Sequence, residues 1–259
     1  MTAAITNLGC KVNQSEMEAG ARVLRERGVR LVDDGHPADV NLINTCTVTA
    51  VADQKSRQAV RRARRANPDA EIIVTGCSVQ VAPEAFAAID PAARLVDNRS
   101  KAKLLDELAS LAGLPDSAGR PIGRALPTLS GVEIEGVVDD RAAVERTRAF
   151  VKVQDGCSFF CTYCIIPRAR GAERSVPPDE VLRDIRRALD AGHREVVLTG
   201  INIGTYDGGW SERGPRGVHT RAALTLAGLV RRILAETEVE RIRLSSIEPQ
   251  HVDDELLEA

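Results

Sequence analysis

Short apolar runs, each followed by an amphipathic helical pattern, recur in two blocks of this 259-residue sequence, and that alternation sets the class of fold. In the first block "AAITNL", "VRLV", "DVNLINT", "EIIVTG" and "ARLVDN" read as strands, with helices over "SEMEAGARVLRERG", "VTAVADQKSRQAVRRARRAN", "PEAFAAI" and "KAKLLDELASLAG". Asn13, with Glu16 three residues on, is the expected N-terminal cap of the first helix and Gly28 its stop, and Asn67-Pro68 ends the second. An open parallel sheet with helices on both faces follows. From Leu114 to Arg146 the pattern dissolves into "LPDSAGRPIGRALPTLSG" and mixed charge, a linker by composition. It resumes with strands at "RAFVKVQ", "REVVLTGI" and "ERIRLSSI" and helices at "PPDEVLRDIRRALDAG", "RAALTLAGLVRRILAE" and "DDELLEA". The expected division is a domain over 1–113, a linker over 114–146 and a second α/β domain, half of a βα barrel, over 147–259.

A net charge of -2 argues against an overall cationic nucleic-acid wrapper while leaving a local basic face open. The start "MTAAITNLGC" lacks the basic and apolar regions of a secretion signal, and no apolar run reaches the ~20 residues of a membrane span. The expectation is a soluble, cytoplasmic protein with no membrane contact. Six cysteines in such a chain point to metal or catalytic use before disulfides. His36, His193, His219 and His251 all lie far from them in sequence, so no mixed Cys/His zinc finger is written here.

Cys157, Cys161 and Cys164 stand within eight positions of "VKVQDGCSFFCTYCIIPRARG". Three thiolates this close can hold one iron-sulfur cluster and leave one iron without a protein ligand. The C-x3-C-x2-C spacing, with aromatic Tyr163 before the last cysteine and the loop directly after a strand, resembles the radical S-adenosylmethionine (SAM) superfamily. The resemblance implies that SAM chelates the open iron and, on reduction, yields a 5'-deoxyadenosyl radical. It also implies cofactor contacts from Tyr163 and from "LTGIN", where Gly200 and Asn202 end the second strand of the block. An ordinary strand-to-loop glycine accounts for Gly200 equally well. Ser245, Ser246 and Glu248 in "RLSSIEP" suit a pocket lining or a capped loop. Arg168, Arg170 and Arg174 suit a SAM carboxylate, a phosphate or an exposed basic loop.

In the first block Cys10, Cys46 and Cys77 each lie just beyond a strand, and in an open α/β sheet such ends share the edge where ligands bind. One such cysteine would be a small buried apolar residue. Three in the same topological place, with none elsewhere in the block, form a second three-thiol site. "GCKVN", "NTCTVT" and "TGCSVQ" preceding "DGCSFFCTYC" resemble the methylthiotransferase family over essentially the whole chain. That resemblance implies a flavodoxin-like domain carrying an auxiliary cluster, then a radical SAM barrel, then a small RNA-binding TRAM domain, with two [4Fe-4S] clusters in all. It implies two SAM molecules per reaction, one giving its methyl group to a sulfur on the auxiliary cluster, the other the hydrogen-abstracting radical. A low-potential electron donor such as flavodoxin or ferredoxin, and a sulfur donor, are the implied partners.

"GCKVNQSE" with "CIIPRARG" is similar to the MtaB-like branch, which converts N6-threonylcarbamoyladenosine at tRNA position 37 to its 2-methylthio derivative. The isopentenyladenosine and ribosomal-protein branches are the alternatives. Lys55, Arg57, Arg61, Arg62, Arg64 and Arg65 share one helix, where Arg61, Arg62 and Arg65 are candidates for the phosphates of a tRNA anticodon stem-loop; a solvated helix face has the same composition. The resemblance also implies further βα units and the TRAM domain beyond Ala259, so the expectation is a C-terminally truncated chain, either active or reduced to an iron-sulfur or RNA-binding fragment. The "YDGGWSERGPRGVHTRAALTL" segment is expected to form a long mobile loop.

Overall fold

The computed structural model describes residues 1–26, 28–101, 103, 104, 107, 147–208 and 224–259, in two compact units that divide at 139/140. The linker expected over 114–146, most of the helix expected over 101–113 and the loop at 209–223 lie outside the described residues.

In the first unit, strands β1 (Thr2–Asn7), β2 (Arg30–Val32), β3 (Val40–Thr45), β4 (Glu71–Gly76) and β5 (Arg94–Val96) form one sheet. Its order is β2-β1-β3-β4-β5 and every pairing is parallel, the flavodoxin-like arrangement. Helices α1 (Lys11–Glu26), α2 (Ala50–Ala66), α3 (Cys77–Val81) and α4 (Pro83–Ala87) connect the strands. Alternation along the central strands divides the core in two. Leu42 and Ile73 pack with Met17 and Leu24 of α1, while Ile43, Ile72 and Val74 pack with Val60 of α2, Val79 of α3 and Phe86 of α4.

Helix α1 starts earlier than the sequence suggests. Asn13 lies inside it and is fully buried, so it caps nothing. Gly28 does stop the helix: its φ is +76° and its amide bonds Arg25 O at 2.8 Å. Thr49 caps α2, and Asn67 ends it through an amide bond to Ala63 O.

In the second unit β6 (Arg148–Lys152), β9 (Glu195–Thr199) and β10 (Arg241–Leu244) form a parallel sheet in sequence order, as successive βα units require. A two-residue antiparallel ribbon, β7 (Gln154–Asp155) with β8 (Arg174–Ser175), closes the segment between them. Helices α5 (Ile166–Arg170), α6 (Pro178–Asp190), α7 (Leu226–Glu236) and α8 (Asp254–Leu257) complete the described elements. Val181, Leu182 and Ile185 of α6 pack on Val151, Val196 and Leu198, each fully buried side chain contributing roughly 1.5–3 kcal/mol. Among the described residues no helix is long and apolar enough to cross a membrane.

Candidate metal centres

In the first unit β1, β3 and β4 are neighbours and parallel, so their carboxyl ends share an edge, and Cys10, Cys46 and Cys77 follow those ends. The β3–β4 register ends at Thr45 opposite Gly76, and the next residue on each chain is a cysteine. Gly76 has φ +101°, and a Cβ there would fall 2.4 Å from Thr45 O, so only glycine lets the chain leave β4 this close to β3. The turn carrying Cys10 packs against Cys46: a Cβ on Gly9 would lie 2.9 Å from the Cys46 Sγ. Asn13 ties the two turns together, its Nδ2 donating to Leu8 O at 2.8 Å and Thr45 O at 3.0 Å. The Cys46 amide donates to Ser56 Oγ of α2 at 3.1 Å, and Asn98 Nδ2 lies 3.8 Å from the Cys77 Sγ. Behind this edge Lys101 Nζ meets Glu16 at 2.6 Å and Asn44 Oδ1 at 3.2 Å, in a pair almost wholly withdrawn from solvent.

The second triad lies on one loop. Pairing of β7 with β8 and a 3.1 Å bond from the Cys157 amide to Gly171 O close its base, and the Cys164 amide bonds Cys161 O at 2.9 Å. Buried Asp155 accepts from Arg170 Nη1 at 2.9 Å and the Gly156 amide at 2.8 Å on Oδ1, and from Arg174 Nη2 at 2.6 Å on Oδ2. Buried Arg170 thus braces the loop from within, which leaves it turned away from a ligand, whereas Arg174 braces it from the exposed side and Arg168 is exposed, as an exposed basic loop would have them. Burial raises the Cys157 pKa, a backbone bond from Phe159 opposes the rise, and Glu173, Cys164 and Cys161 add to it. Phe159, Phe160 and Tyr163 are exposed on this loop, Tyr163 at 90%.

Gly200, Asn202 and Ser245 come together at the carboxyl ends of β9 and β10. Ser245 N bonds Leu198 O at 3.2 Å, Ile203 N bonds Ser246 O at 3.0 Å, and Ser246 takes φ +66°. Asn202 Oδ1 accepts from Gly204 N at 3.3 Å, which assigns its Nδ2 as a donor. That Nδ2 and the nearby Thr199 Oγ1 are buried without a partner among the described residues. Glu248 is exposed. A cleft of about 490 Å³ beside the cysteine loop is lined by Ser158, Phe159, Gly204, Tyr206, Leu226 and His251.

All six cysteines are free of disulfides. Among the described residues no three Cys, His, Asp or Glu side chains converge into a ready-made metal site. The donor sets still suit iron-sulfur clusters: three cysteines outside any disulfide per unit, on the carboxyl-end edge of a parallel sheet or on one closed loop. The orphaned donor at Asn202 marks the same end of the second sheet as a place where protein atoms leave a buried group unsatisfied.

On α2, three of the basic side chains are engaged within the unit: Arg57 with Asp53 at 2.7 Å, Arg62 with Asp34 at 2.5 Å and Arg64 with Asp90 at 2.8 Å. Lys55, Arg61 and Arg65 are exposed. The sequence reading missed Gln154, Asp155, Asn98 and Lys101. The "VQDGC" run directly before the first loop cysteine held the signal for two of them.

Residues 2–97 match the Uncharacterized protein family UPF0004, and residues 151–259 match the Radical SAM superfamily. The chain is 40% identical to the threonylcarbamoyladenosine tRNA methylthiotransferase MtaB of Bacillus subtilis, over 99% of this chain and 54% of that protein. It is 39% identical to the MtaB of Chlamydia pneumoniae, over 96% and 52%. A tRNA-2-methylthio-N(6)-dimethylallyladenosine synthase of Novosphingobium aromaticivorans is 30% identical, over 100% and 55%. The chain spans about half the length of these curated relatives. In fold it is similar to the radical S-adenosylmethionine methyltransferase TsrM of Kitasatospora setae, solved with cobalamin and a [4Fe-4S] cluster bound, with TM-score 0.60, 17% identity and coverage of 99% of this chain and 58% of that one. Its carboxyl-terminal region thus matches the radical SAM superfamily, and over nearly its whole length the chain is similar to the tRNA methylthiotransferases.

Proposed function

We propose that Cys10, Cys46 and Cys77 hold one [4Fe-4S] cluster, that Cys157, Cys161 and Cys164 hold a second, and that the chain belongs to a cytoplasmic tRNA methylthiotransferase. Its substrate is N6-threonylcarbamoyladenosine at position 37 of a tRNA anticodon stem-loop, converted to the 2-methylthio derivative. The observation that carries this reading is the repetition of one arrangement: in each unit three cysteines outside any disulfide stand beyond the carboxyl end of a parallel strand or strands. Three thiols leave one iron of a four-iron cluster open to a small molecule. With SAM on the second cluster, reduction supplies a radical able to remove hydrogen from an unreactive carbon.

The chain's own residues bind and orient. Tyr163 is available to pack on a bound cofactor, and Ser245, Gly200 and Asn202 border the same end of the sheet. A ligand carboxylate would supply the acceptor that Asn202 Nδ2 lacks. Exposed Arg61 and Arg65 can meet RNA phosphates; Arg62 does so only by leaving Asp34. The 40% and 39% identities to the Bacillus subtilis and Chlamydia pneumoniae MtaB proteins, against 30% to the dimethylallyladenosine synthase of Novosphingobium aromaticivorans, support the threonylcarbamoyl substrate. A flavodoxin or ferredoxin would supply electrons, and a separate donor the sulfur.

Anaerobic reconstitution tests the reading. About eight irons per chain and SAM cleavage on reduction are expected, together with loss of 2-methylthio-N6-threonylcarbamoyladenosine from the tRNA of cells lacking the gene, read by nucleoside mass spectrometry. Zinc, or a single cluster without SAM cleavage, would leave an inactive metal- or RNA-binding fragment as the better account. Loss of the dimethylallyl derivative instead would move the substrate to the other branch.

A further inference from the structure

Gln154 is wholly buried between the cysteine loop and the turn that leaves β9. Its Oε1 accepts from the amides of Ile201 at 2.9 Å and Asn202 at 3.0 Å. Its Nε2 donates to Gly156 O at 2.8 Å and Asp155 O at 3.2 Å, and approaches Thr205 Oγ1 at 3.4 Å. One side-chain amide therefore satisfies backbone groups on both segments at once, using the opposite polarity of its two ends. Gly200 is shaped to this contact: a Cβ there would stand 2.8 Å from Gln154 Oε1 and 2.9 Å from Gln154 O. Two bonds reinforce the link: the Asp207 amide donates to Ser175 Oγ at 3.0 Å, and the Tyr206 hydroxyl to Val176 O at 2.9 Å. The segment from Gly200 to Asp207 is thus fastened to the base of the loop that presents Cys157, Cys161 and Cys164.

We propose that Gln154 is a positioning residue that couples the cysteine loop to the Gly200–Asn202 turn, so that filling the thiol triad orders the turn that receives SAM. The inference rests on the functional reading above. It concerns Gln154 itself, whose side-chain hydrogen bonds go to backbone groups and to the Thr205 hydroxyl. Glutamate cannot replace it: an ionised carboxylate accepts from Ile201 and Asn202 but places its second oxygen against the carbonyls of Gly156 and Asp155. Leucine fills the volume and leaves four backbone groups without their partner.

The test compares the wild-type chain with Gln154→Leu and Gln154→Glu after anaerobic reconstitution. Iron per chain, SAM affinity by equilibrium dialysis and hydrogen exchange over residues 200–207 are read before and after loading. In the wild type, loading is expected to slow exchange over 200–207. In both variants iron content is expected to stay at the wild-type level, while the loading-dependent protection disappears and SAM binding weakens about tenfold or more. Gly200→Ala, which pushes the turn off an intact Gln154, is expected to reproduce the loss and serves if the Gln154 variants do not fold. Wild-type SAM affinity and protection in an iron-replete variant would overturn the inference, as would a wild-type chain whose 200–207 exchange ignores loading. A wild-type chain that takes up no iron on the Cys157 triad would instead overturn the functional reading.

Discussion

Asp155 is the residue on which the cysteine loop closes. Its carboxylate is buried and both oxygens are used, one by Arg170, itself 2% exposed, and the other by the half-exposed Arg174. Removing Arg170 withdraws the buried partner and leaves a carboxylate that burial makes costly. Arg170→Met is therefore expected to destabilise the second unit by about 3 kcal/mol, seen as a lower denaturant midpoint, with iron uptake by Cys157, Cys161 and Cys164 reduced in proportion to the loss of folded loop. Unchanged stability would show that Arg174, with Lys152 Nζ at 3.8 Å, suffices to hold the charge. Sequence reading left Arg170 between a ligand contact and an exposed basic loop, because a charge next to a cysteine motif carries no mark of which way it faces. The same limit applies to Asn13 and Glu16: three residues apart, they imitate a helix cap, yet each bonds to a distant partner, Asn13 to Thr45 and Glu16 to Lys101.

Among the elements, strands were legible because a buried parallel strand is a run of apolar residues, as in "EIIVTG" and "EVVLT". Short elements were not. Helix α3, "CSVQV", has one turn and no helical period to read, and β7 and β8 have two residues each. Helix α2 was legible as a helix, but its charge needed the structure to sort. Asp53, Asp34 and Asp90 engage Arg57, Arg62 and Arg64, leaving Lys55, Arg61 and Arg65 exposed. Arg61→Glu with Arg65→Glu is expected to weaken tRNA binding at low salt and to lower the salt slope by about 0.9 for each phosphate that is no longer neutralised, with unfolding little changed. Arg62→Glu alone is expected to cost stability through repulsion with Asp34. Wild-type tRNA affinity in the double variant would assign α2 a purely solvated face.

At the scale of the whole chain, the topological pattern was legible before any side chain was placed: strand ends of one parallel sheet share an edge, so cysteines distant in sequence follow ends that lie along it. What it could not supply was the scaffold holding each turn, because Gly76 against Thr45 and Gln154 against Ile201 and Asn202 are contacts between segments. Each triad lies wholly within one unit, so the two are expected to load independently. Cys46→Ala and Cys157→Ala should each keep about four of eight irons. Cys157→Ala should abolish SAM cleavage, whereas Cys46→Ala should retain cleavage and lose methylthio transfer. Loss of all iron from either variant would mean that one site is needed to build the other.

The two ways of gathering three thiols differ in their tolerance of insertions. Cys10 and Cys46 are held by pairing of β1 with β3, so a residue added between Gly35 and His36, in the exposed turn before β3, lengthens a loop and leaves both strand ends in place. A residue added between Cys157 and Cys161 moves a thiol by about 3.5 Å, far beyond the ~0.2 Å tolerance of a metal-ligand bond. The first insertion should spare iron at both triads; the second should remove the share bound by Cys157, Cys161 and Cys164. The early half of the chain can thus vary in length between its cysteines, and the short loop of the second cannot.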